Sequence, residues 1–229
     1  MFPSSLETDQ YHNTRIVGLI QEEKSRSEVN LYKTELTNRD VVIVIKEAMD
    51  NKQCVGLYLG LNKITSIGVS ILADSLKDNK TLEKLSLYDN EAGDNGIYFL
   101  AKALSIYNRN LKKLDLGKNK ITDEAVKHLA QMLKVNKTLA LLYLTQNEIT
   151  DGGVFILADT IQNYNTTLEL LHLSENKLLT DLSVNPLVSM IEHNQSLKDF
   201  RICDCNLSAT GKERLKMLQP LKENFKILV

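Results

Sequence analysis

Apolar residues recur along this chain in one fixed pattern. Two apolar residues, in most copies leucines, flank a single residue, and three positions later an asparagine follows in five of the seven copies, with Thr34 in the first copy and Cys205 in the last. The copies begin at Val29, Leu57, Leu85, Leu114, Leu142, Leu171 and Phe200. From Leu57 onwards they follow one another at intervals of 28 or 29 residues. Such constant phase indicates one repeating structural unit rather than chance apolar patterning.

Each unit predicts a short strand followed by a helix. The alternation Leu-x-Leu points both leucines to one face of a strand, and an apolar residue two positions after the asparagine, such as Ile64 or Leu178, continues the core. Ser or Asp then occupies the position expected for a helix N-cap. These residues are Ser66, Asp94, Asp123, Asp151 and Asp181. Beyond them, apolar residues at i and i+4, such as Leu72 and Leu76, mark one buried helix face.

Stacking such units buries leucines that no single unit could bury. Because strands are narrower than helices, the stack is expected to curve. The sequence therefore predicts an α/β solenoid shaped like a horseshoe, with a parallel sheet on the concave side and helices on the convex side. We assign residues 26–219 to about seven repeats of 28–29 residues.

Capping segments are expected at both ends of the stack. Residues 1–25 are assigned to an N-terminal cap built on a helix at about residues 9–24. At the other end, a last helix carrying Leu215, Leu218 and Leu221 is expected to lead into an edge strand at residues 225–229, and residues 220–229 are assigned to the C-terminal cap.

The motif and its periods of 28 and 29 residues resemble the ribonuclease-inhibitor class of leucine-rich repeats over roughly residues 26–219. Members of that class include ribonuclease inhibitors, the sensing regions of NOD-like receptors, Ran GTPase-activating proteins and tropomodulins. The resemblance implies that this chain binds another protein.

Charge and cysteine content narrow the choice of partner and compartment. The 28 basic and 29 acidic residues give a formal net charge of −1, so there is no basic excess for nucleic acid. We find no membrane-spanning apolar run and no secretory signal at the N-terminus. The three cysteines, Cys54, Cys203 and Cys205, do not suggest a disulfide framework. We therefore expect a monomer in the cytosol, without a nucleic-acid or membrane partner.

The sequence predicts no catalytic, metal or cofactor site. Its histidines lack metal-ligand spacing, and strand alternation points Cys203 outward but Cys205 inward. The asparagines of the motif are expected to turn inward and bond to loop backbone. A second group, near the helix-to-strand turns, is explained by turn chemistry. The motif asparagines are Asn62, Asn90, Asn119, Asn147 and Asn176, and those of the turns are Asn79, Asn136, Asn165 and Asn194.

The outward strand positions carry the predicted binding surface. Tyrosine and arginine offer large contact area with a polar tip and are enriched at binding hot spots. Tyrosine also suits strands, so both interpretations stay open for a single residue, while binding is favoured for the face as a whole. The candidate residues are Tyr32, Tyr58, Tyr88, Asp115, Tyr143, His172 and Arg201. Leu61, Leu141 and Leu170 are expected to be exposed nearby.

Charges immediately after the asparagines alternate in sign along the chain. They are Lys63, Glu91, Lys120, Glu148 and Lys177. Adjacent repeats are expected to neutralise one another there, each pair contributing little. A charged rim that orients a partner is the alternative.

Three functional hypotheses follow. The first is a passive interaction module that sequesters, inhibits or recruits one protein through the concave face. The second is a GTPase activator resembling the Ran-directed family; Arg39 is the only candidate for its arginine, and the acidic tail usual in that family is missing. The third concerns origin: many Asn and Lys and no Trp are typical of a low-GC genome, and a bacterial source would suggest an effector translocated into a host cytosol.

Overall fold

The computed structural model describes residues 11–219 and 224–229. Within them, eight strands form one parallel sheet in chain order, β1 to β8. The strands are Glu28–Asn30, Gly56–Tyr58, Lys84–Ser86, Lys113–Asp115, Leu141–Tyr143, Leu170–His172, Asp199–Arg201 and Lys226–Leu228. Each copy of the apolar motif pairs with the next in the same register, so that Leu57 lies opposite Leu85 and Leu85 opposite Leu114.

A helix follows each of the first seven strands, and one more precedes β1. The helices α1 to α8 are Thr14–Glu22, Asn38–Val44, Ser66–Leu76, Gly93–Ile106, Asp123–Val135, Asp151–Asn163, Val184–His193 and Ala209–Lys216. Helix α2 continues as a π-helix over Ile45–Asn51, and a 3₁₀ turn at Asp181–Ser183 leads into α7. Among the described residues, we find no helix with the length and hydropathy needed to cross a bilayer.

The sheet and the helices form two layers of a curved solenoid. Paired strands lie about 4.8 Å apart, whereas packed helices need about 8–10 Å. The strand side of the stack is therefore the shorter one, and it bends inward. This confirms the predicted solenoid, with the sheet on the concave side and the helices on the convex side.

One continuous core runs between the layers. It extends from Ile16 in α1 to Ile227 in β8. The motif leucines and the i, i+4 pairs of the helices are all within it, as Leu72 and Leu76 show. One detail of the motif was wrong: Leu179, not Leu178, occupies the core position, and Leu178 is 52% exposed. This loop is one residue longer than its counterparts, which shifts the buried position along the chain.

Helix α1 packs over the first repeat. Ile16 and Ile20 are buried in the core. The Nζ of Lys52 donates to Gln21 O at 2.9 Å and to Glu23 O at 2.5 Å, which ties the end of α1 to the turn after the π-helix. The helix begins at Thr14 and ends at Glu22, inside the predicted range of 9–24, of which residues 9 and 10 lie outside the described residues.

Helix α8 and strand β8 close the other end. Leu215 and Leu218 are buried as expected, whereas Leu221 lies outside the described residues. Strand β8 pairs with β7. The amide of Ile227 donates to the side chain of Gln219 at 3.4 Å, so a polar side chain covers part of the sheet edge.

The five predicted N-caps, those of α3 to α7, are all wrong. The caps are threonines one position earlier, and each accepts a bond from the amide two residues on. They are Thr65, Thr122, Thr150 and Thr180. Helix α4 begins after Ala92, whose methyl side chain cannot accept a capping hydrogen bond. The predicted caps of α3, α5 and α6 are instead their first helical residues.

The aspartates have a different role, which explains the error. Asp123 Oδ1 accepts from Thr150 N at 2.9 Å, and its Oδ2 accepts from the Thr150 hydroxyl at 2.5 Å. Asp94 contacts Thr122 in the same way. Each carboxylate thus bonds to the capping residue of the next repeat. This Asp–Thr ladder joins neighbouring helices along the helix N-termini.

Candidate functional site

The candidate residues fall into two groups on the concave surface, which we define as the outward side chains of β1–β7 and the residues just after them. Tyr58, Asp115, Tyr143, His172 and Arg201 occupy the same position of their strands and lie in one row. The remaining two lie two residues further along, beyond the strand ends. They are Tyr32 and Tyr88.

Four members of the row are consecutive. Asp115, Tyr143, His172 and Arg201 lie side by side on β4 to β7. With strands about 4.8 Å apart, the four Cα atoms span about 14 Å. The rings of Tyr143 and His172 meet edge to face, with centroids 5.8 Å apart. We call these four residues the concave row.

Charged groups surround the aromatic pair. Asp115 accepts from the Ser86 hydroxyl at 3.0 Å. The Arg201 guanidinium donates twice to Asp199, at 2.9 and 2.6 Å. The Nζ of Lys113 lies 4.9 Å from the centroid of the Tyr143 ring, a cation–π distance. Hydrogen bonds thus hold Asp115 and Arg201 in place, and ring and cation–π contacts hold the aromatic pair between them.

Burial decides the protonation of the aromatic pair. It lowers the pKa of His172 from its ordinary value, and the neighbouring Arg201 guanidinium lowers it further, so the imidazole is neutral at pH 7. Burial also raises the pKa of Tyr143, so its hydroxyl keeps its proton. Both side chains offer neutral hydrogen-bonding groups on a partly apolar surface.

The apolar neighbours of the row are less exposed than expected. Leu61 and Leu141 are half-buried, and Leu170 is only 6% exposed. The prediction of an exposed Leu170 is wrong, because the register places it between Leu141 and Asp199 of the flanking strands. It forms part of the floor beside the concave row rather than a protruding contact.

The tyrosines toward the N-terminal end lie against the sheet. Tyr58 donates to Glu28 at 3.0 Å. A Cβ added to Gly60 would lie 3.0 Å from Cδ2 of Tyr32, and one added to Gly117 would lie 2.8 Å from Cδ2 of Tyr88. Each ring therefore covers the glycine of the next repeat. The glycines are the signal in the sequence that could have predicted this arrangement.

Tyr88 also reaches beyond its neighbouring repeat. Its hydroxyl donates to the side chain of Gln146 at 3.0 Å, two repeats away. Tyr32 remains 50% exposed. In the N-terminal half of the concave surface, tyrosine rings thus lie flat on the sheet. The C-terminal half presents the concave row.

The asparagine column is structural, as predicted. Asn119 Nδ2 donates to Leu87 O at 2.8 Å and Gly117 O at 2.9 Å, and its Oδ1 accepts from Ala92 N at 3.1 Å. The turn asparagines act similarly: Asn136 Oδ1 accepts from two amides of its own turn. Both groups satisfy backbone atoms that would otherwise be buried unpaired.

The residue before each motif asparagine, and before Thr34 and Cys205 at the same position, has a left-handed backbone conformation, which the sequence did not indicate. The φ angles of these residues lie between 51° and 64°. The residues are Lys33, Leu61, Asp89, Lys118, Gln146, Glu175 and Asp204. None is glycine, so the asparagine bonds and the packing offset a conformation that costs other residues about 1–2 kcal/mol.

The charged residues that follow the motif asparagines neutralise one another only in part. Lys120 and Glu91 lie 3.8 Å apart, whereas Lys177 donates to the backbone of Asp204. The exposed Arg39 lies in the first turn of α2, with its guanidinium 6.0 Å from the Tyr11 ring centroid. The GTPase-activating alternative stays a prediction.

The thiols are free, and two of them are buried. Burial raises the pKa of Cys54 to about 12 and that of Cys205 to about 11, so neither is a reactive thiolate at pH 7. Cys203 is half-exposed and Cys205 buried, as strand alternation predicts. In the described part of the chain, we find no group of three or more His, Cys, Asp or Glu side chains placed to hold a metal ion.

Comparison with known proteins gives the repeats a family. A family model described as Leucine Rich repeat matches residues 107–130, 135–158 and 164–187. The chain is 33% identical over 189 residues to NACHT, LRR and PYD domains-containing protein 9C of Mus musculus, covering 82% of this chain and 18% of that protein. It is 28% identical over 198 residues to the ribonuclease inhibitor of Mus musculus, covering 86% of this chain and 43% of that protein.

A solved structure titled Leiomodin-1 Actin-Binding Site 2 aligns with a TM-score of 0.45 and 21% identity, over 54% of this chain and 70% of that one. The chain spans less than half the length of either curated relative described above. The repeat matches and the two curated relatives agree with the repeated sequence motif. The chain is a leucine-rich-repeat protein of the ribonuclease-inhibitor type, a class of protein-interaction modules.

Proposed function

We propose that this chain binds a partner protein through its concave surface and thereby sequesters, inhibits or recruits that partner. The observation that carries the proposal is the concave row: Asp115, Tyr143, His172 and Arg201 stand side by side in register on four adjacent strands. Tyr32, Tyr58 and Tyr88 extend the same surface toward the N-terminal end.

The composition of the concave row supports protein binding. An aromatic pair lies at its centre, an acidic and a basic group lie at its two ends, and Leu141 and Leu170 lie beside it. Aromatic and arginine side chains dominate binding hot spots. Because sheet register, the hydrogen bonds of Asp115 and Arg201 and the ring contact between Tyr143 and His172 restrict these side chains before binding, less side-chain entropy is lost when a partner docks.

The relatives point in the same direction. One of them is named as an inhibitor of ribonuclease, and a ribonuclease is itself a protein. Since this chain covers 43% of that relative, the same target does not follow. The proposal therefore specifies a protein partner and the concave surface, and no particular enzyme.

Affinity capture with matched variants tests the proposal. Wild type, Tyr143→Ala/His172→Ala and the helix-side control Phe155→Ala/Leu182→Ala are immobilised in parallel. Phe155 and Leu182 are 63% and 78% exposed on the convex side, so the control removes comparable apolar surface elsewhere. Captured proteins are identified by mass spectrometry and retested by interferometry, with circular dichroism of all three chains.

A partner that binds wild type and the control, and binds the concave variant about tenfold or more weakly, supports the proposal; that loss equals about 1.4 kcal/mol. Equal binding of a partner to the still-folded concave variant contradicts it. Capture of no protein above the level of a denatured sample also contradicts it.

We further propose the location and the boundaries of the functional unit. Three unpaired cysteines fit a reducing cytosol, and fractionation of the producing cells tests this location. Recovery of the protein only outside those cells would support the effector hypothesis instead.

The repeats are proposed to occupy residues 26–219, with caps at 1–25 and 220–229. The chain is proposed to act as a monomer, which sedimentation at micromolar concentration tests.

A further inference from the structure

The turns between helix and strand stack on one another along one edge of the solenoid. Asn136 Nδ2 donates to Leu104 O at 2.8 Å, and Asn165 Nδ2 donates to Leu133 O at 2.8 Å, so each turn bonds to the repeat before it. The residue after each turn asparagine is therefore stacked as well. Asn51 and Asn108 occupy the same position in their turns, and in four successive turns the residue after the asparagine is basic: Lys52, Lys80, Arg109 and Lys137.

The net charge of −1 conceals an uneven distribution of charge. Acidic residues lie in the first turns of α4, α5 and α6 and in the 3₁₀ turn before α7, such as Asp123 and Glu124 in α5. Residues 101–113 and 125–140, which include the ends of α4 and α5, contain four and three basic residues respectively and no Asp or Glu. The helix-to-strand edge therefore carries an excess of basic charge in these two repeats.

Helix-dipole compensation explains only part of this basic charge. It accounts for Lys134, which lies in the last turn of α5. Lys137 donates to Tyr164 O at 3.2 Å and so caps the end of α6. Lys80 and Arg109 lie beyond the helix ends, are exposed, and make no side-chain hydrogen bond or ion pair within residues 11–219 and 224–229.

Exposed apolar side chains accompany the basic residues. Ile106, Val135 and Tyr164 lie at the ends of three consecutive helices and are 54%, 51% and 52% exposed. The Nζ of Lys134 lies 4.7 Å from the centroid of the Tyr164 ring, which holds one face of the ring and leaves the side chain half exposed. Apolar residues aligned in this way are typical of interaction sites. We define the turn edge as Lys80, Arg109 and Lys137 together with Ile106, Val135 and Tyr164.

We propose that the turn edge binds an acidic protein segment that carries apolar side chains. The carboxylates of the segment pair with the three basic residues, and its apolar side chains cover Ile106, Val135 and Tyr164. Nucleic acid is a poorer fit, since three basic contacts neutralise too few phosphates for firm binding at physiological salt, where about 6–10 contacts are common. This surface is separate from the concave surface, so either can bind without the other.

A labelled peptide tests the proposal. The probe has about 12 residues, with leucine or phenylalanine at every third position and glutamate or aspartate elsewhere. Fluorescence anisotropy at about 150 mM salt measures its affinity. We expect saturable binding to wild type and a Kd raised about tenfold or more by Lys80→Glu/Arg109→Glu. Ile106→Ser/Val135→Ser is expected to weaken binding similarly.

The control reverses two charges on the opposite edge. Lys63→Glu/Lys177→Glu changes the net charge by the same amount and should leave the Kd within about twofold of wild type. Circular dichroism establishes that every variant is folded. Failure of the peptide to bind wild type overturns the proposal, as does an equal loss of affinity in the control, which indicates unspecific attraction.

Two further probes separate the classes of partner. A peptide made only of glutamate should bind about tenfold more weakly than the mixed peptide; equal affinity overturns the role of the apolar residues. Polyuridine RNA and phosphatidylserine vesicles should bind more weakly than the mixed peptide. Tighter binding of either, lost in Lys80→Glu/Arg109→Glu, overturns the assignment to an acidic protein segment.

Discussion

Replacing Asn119 by alanine should cost a large part of the stability of this chain. Asn119 is fully buried, and its side chain bonds to Leu87 O, Gly117 O and Ala92 N. Leu87 O keeps a bond from the side chain of Asn90 at 3.1 Å, and Gly117 O keeps one from a backbone amide. The amide of Ala92 is left without an acceptor.

These contacts give the magnitude. A buried amide without a partner costs about 2 kcal/mol, and each lost bond to a carbonyl that keeps another donor costs about 1 kcal/mol. The free energy of unfolding should therefore fall by about 4 kcal/mol, against about 5–15 kcal/mol in total for an ordinary domain. Within the described residues no buried side-chain nitrogen or oxygen lacks a partner.

Equilibrium unfolding in urea, followed by circular dichroism, measures this loss. With an m-value of about 3 kcal/mol/M, the midpoint should move down by about 1.3 M. Asn206→Ala is the control: Asn206 is exposed and its side chain makes no hydrogen bond in the described part of the chain, so its change should stay within about 0.5 kcal/mol. A loss below about 1 kcal/mol for Asn119→Ala, at unchanged m-value, would refute this account of the asparagine column.

Three further changes test other contacts. Gly153→Ala should destabilise by about 1–2 kcal/mol, because its Cβ would overlap the carboxylate of Asp123, whereas Gly18→Ala, with open space around it, should stabilise by about 0.5–1 kcal/mol; urea titrations compare their signs. The depressed pKa of His172 makes the unfolded chain bind its proton first as pH falls below about 6.5. Wild type should therefore lose more of its melting temperature than His172→Asn between about pH 7 and 5, and parallel curves would contradict this. Cys205→Asn should stabilise by about 1 kcal/mol, since an amide donates more strongly than the thiol to the two carbonyls now 3.5 and 3.7 Å away.

The features that could be predicted from the sequence are those that repeat. A period of 28 or 29 residues, with leucines at alternate positions, determines the strand register, the inward face and the core together, because a shift of one residue would turn every leucine outward. The inward role of the asparagines followed from the same phase. The seven candidate residues were found as outward positions by alternation alone, and the structure places them on the concave surface.

Features that depend on the distance between repeats could not be predicted in the same way. An aspartate at the start of a helix can cap its own helix or bond to the neighbouring repeat. The two positions that lead to these different roles are only one residue apart in the sequence. Because Thr150 of the next repeat lies beside Asp123, the Asp123 carboxylate bonds to that repeat and does not cap its own helix. Similarly, the number of loop residues after Asn176 moved the core position from Leu178 to Leu179, which no local propensity indicates.

The exposure of the concave side chains could not be predicted from the sequence either. Tyr88 could have projected from the sheet, but Gly117 leaves space for its ring to lie flat. Leu170 was expected to be exposed, but flanking strands cover it. The basic residues of the turn edge lie 28 or 29 residues apart, so they form no local run of charge in the sequence.

Curvature gives the two proposed surfaces different properties. On the concave side, equivalent side chains of adjacent repeats are about 4.8 Å apart, which is close enough for the Tyr143 and His172 rings to touch. On the helix side, the same repeats are about 8–10 Å apart, so contacts between repeats there rely on long side chains, as between Lys134 and the Tyr164 ring. The concave surface can therefore form a continuous packed contact. Charged and apolar groups on the wider-spaced turn edge suit an extended segment that meets them one repeat at a time, with weaker and more salt-sensitive binding.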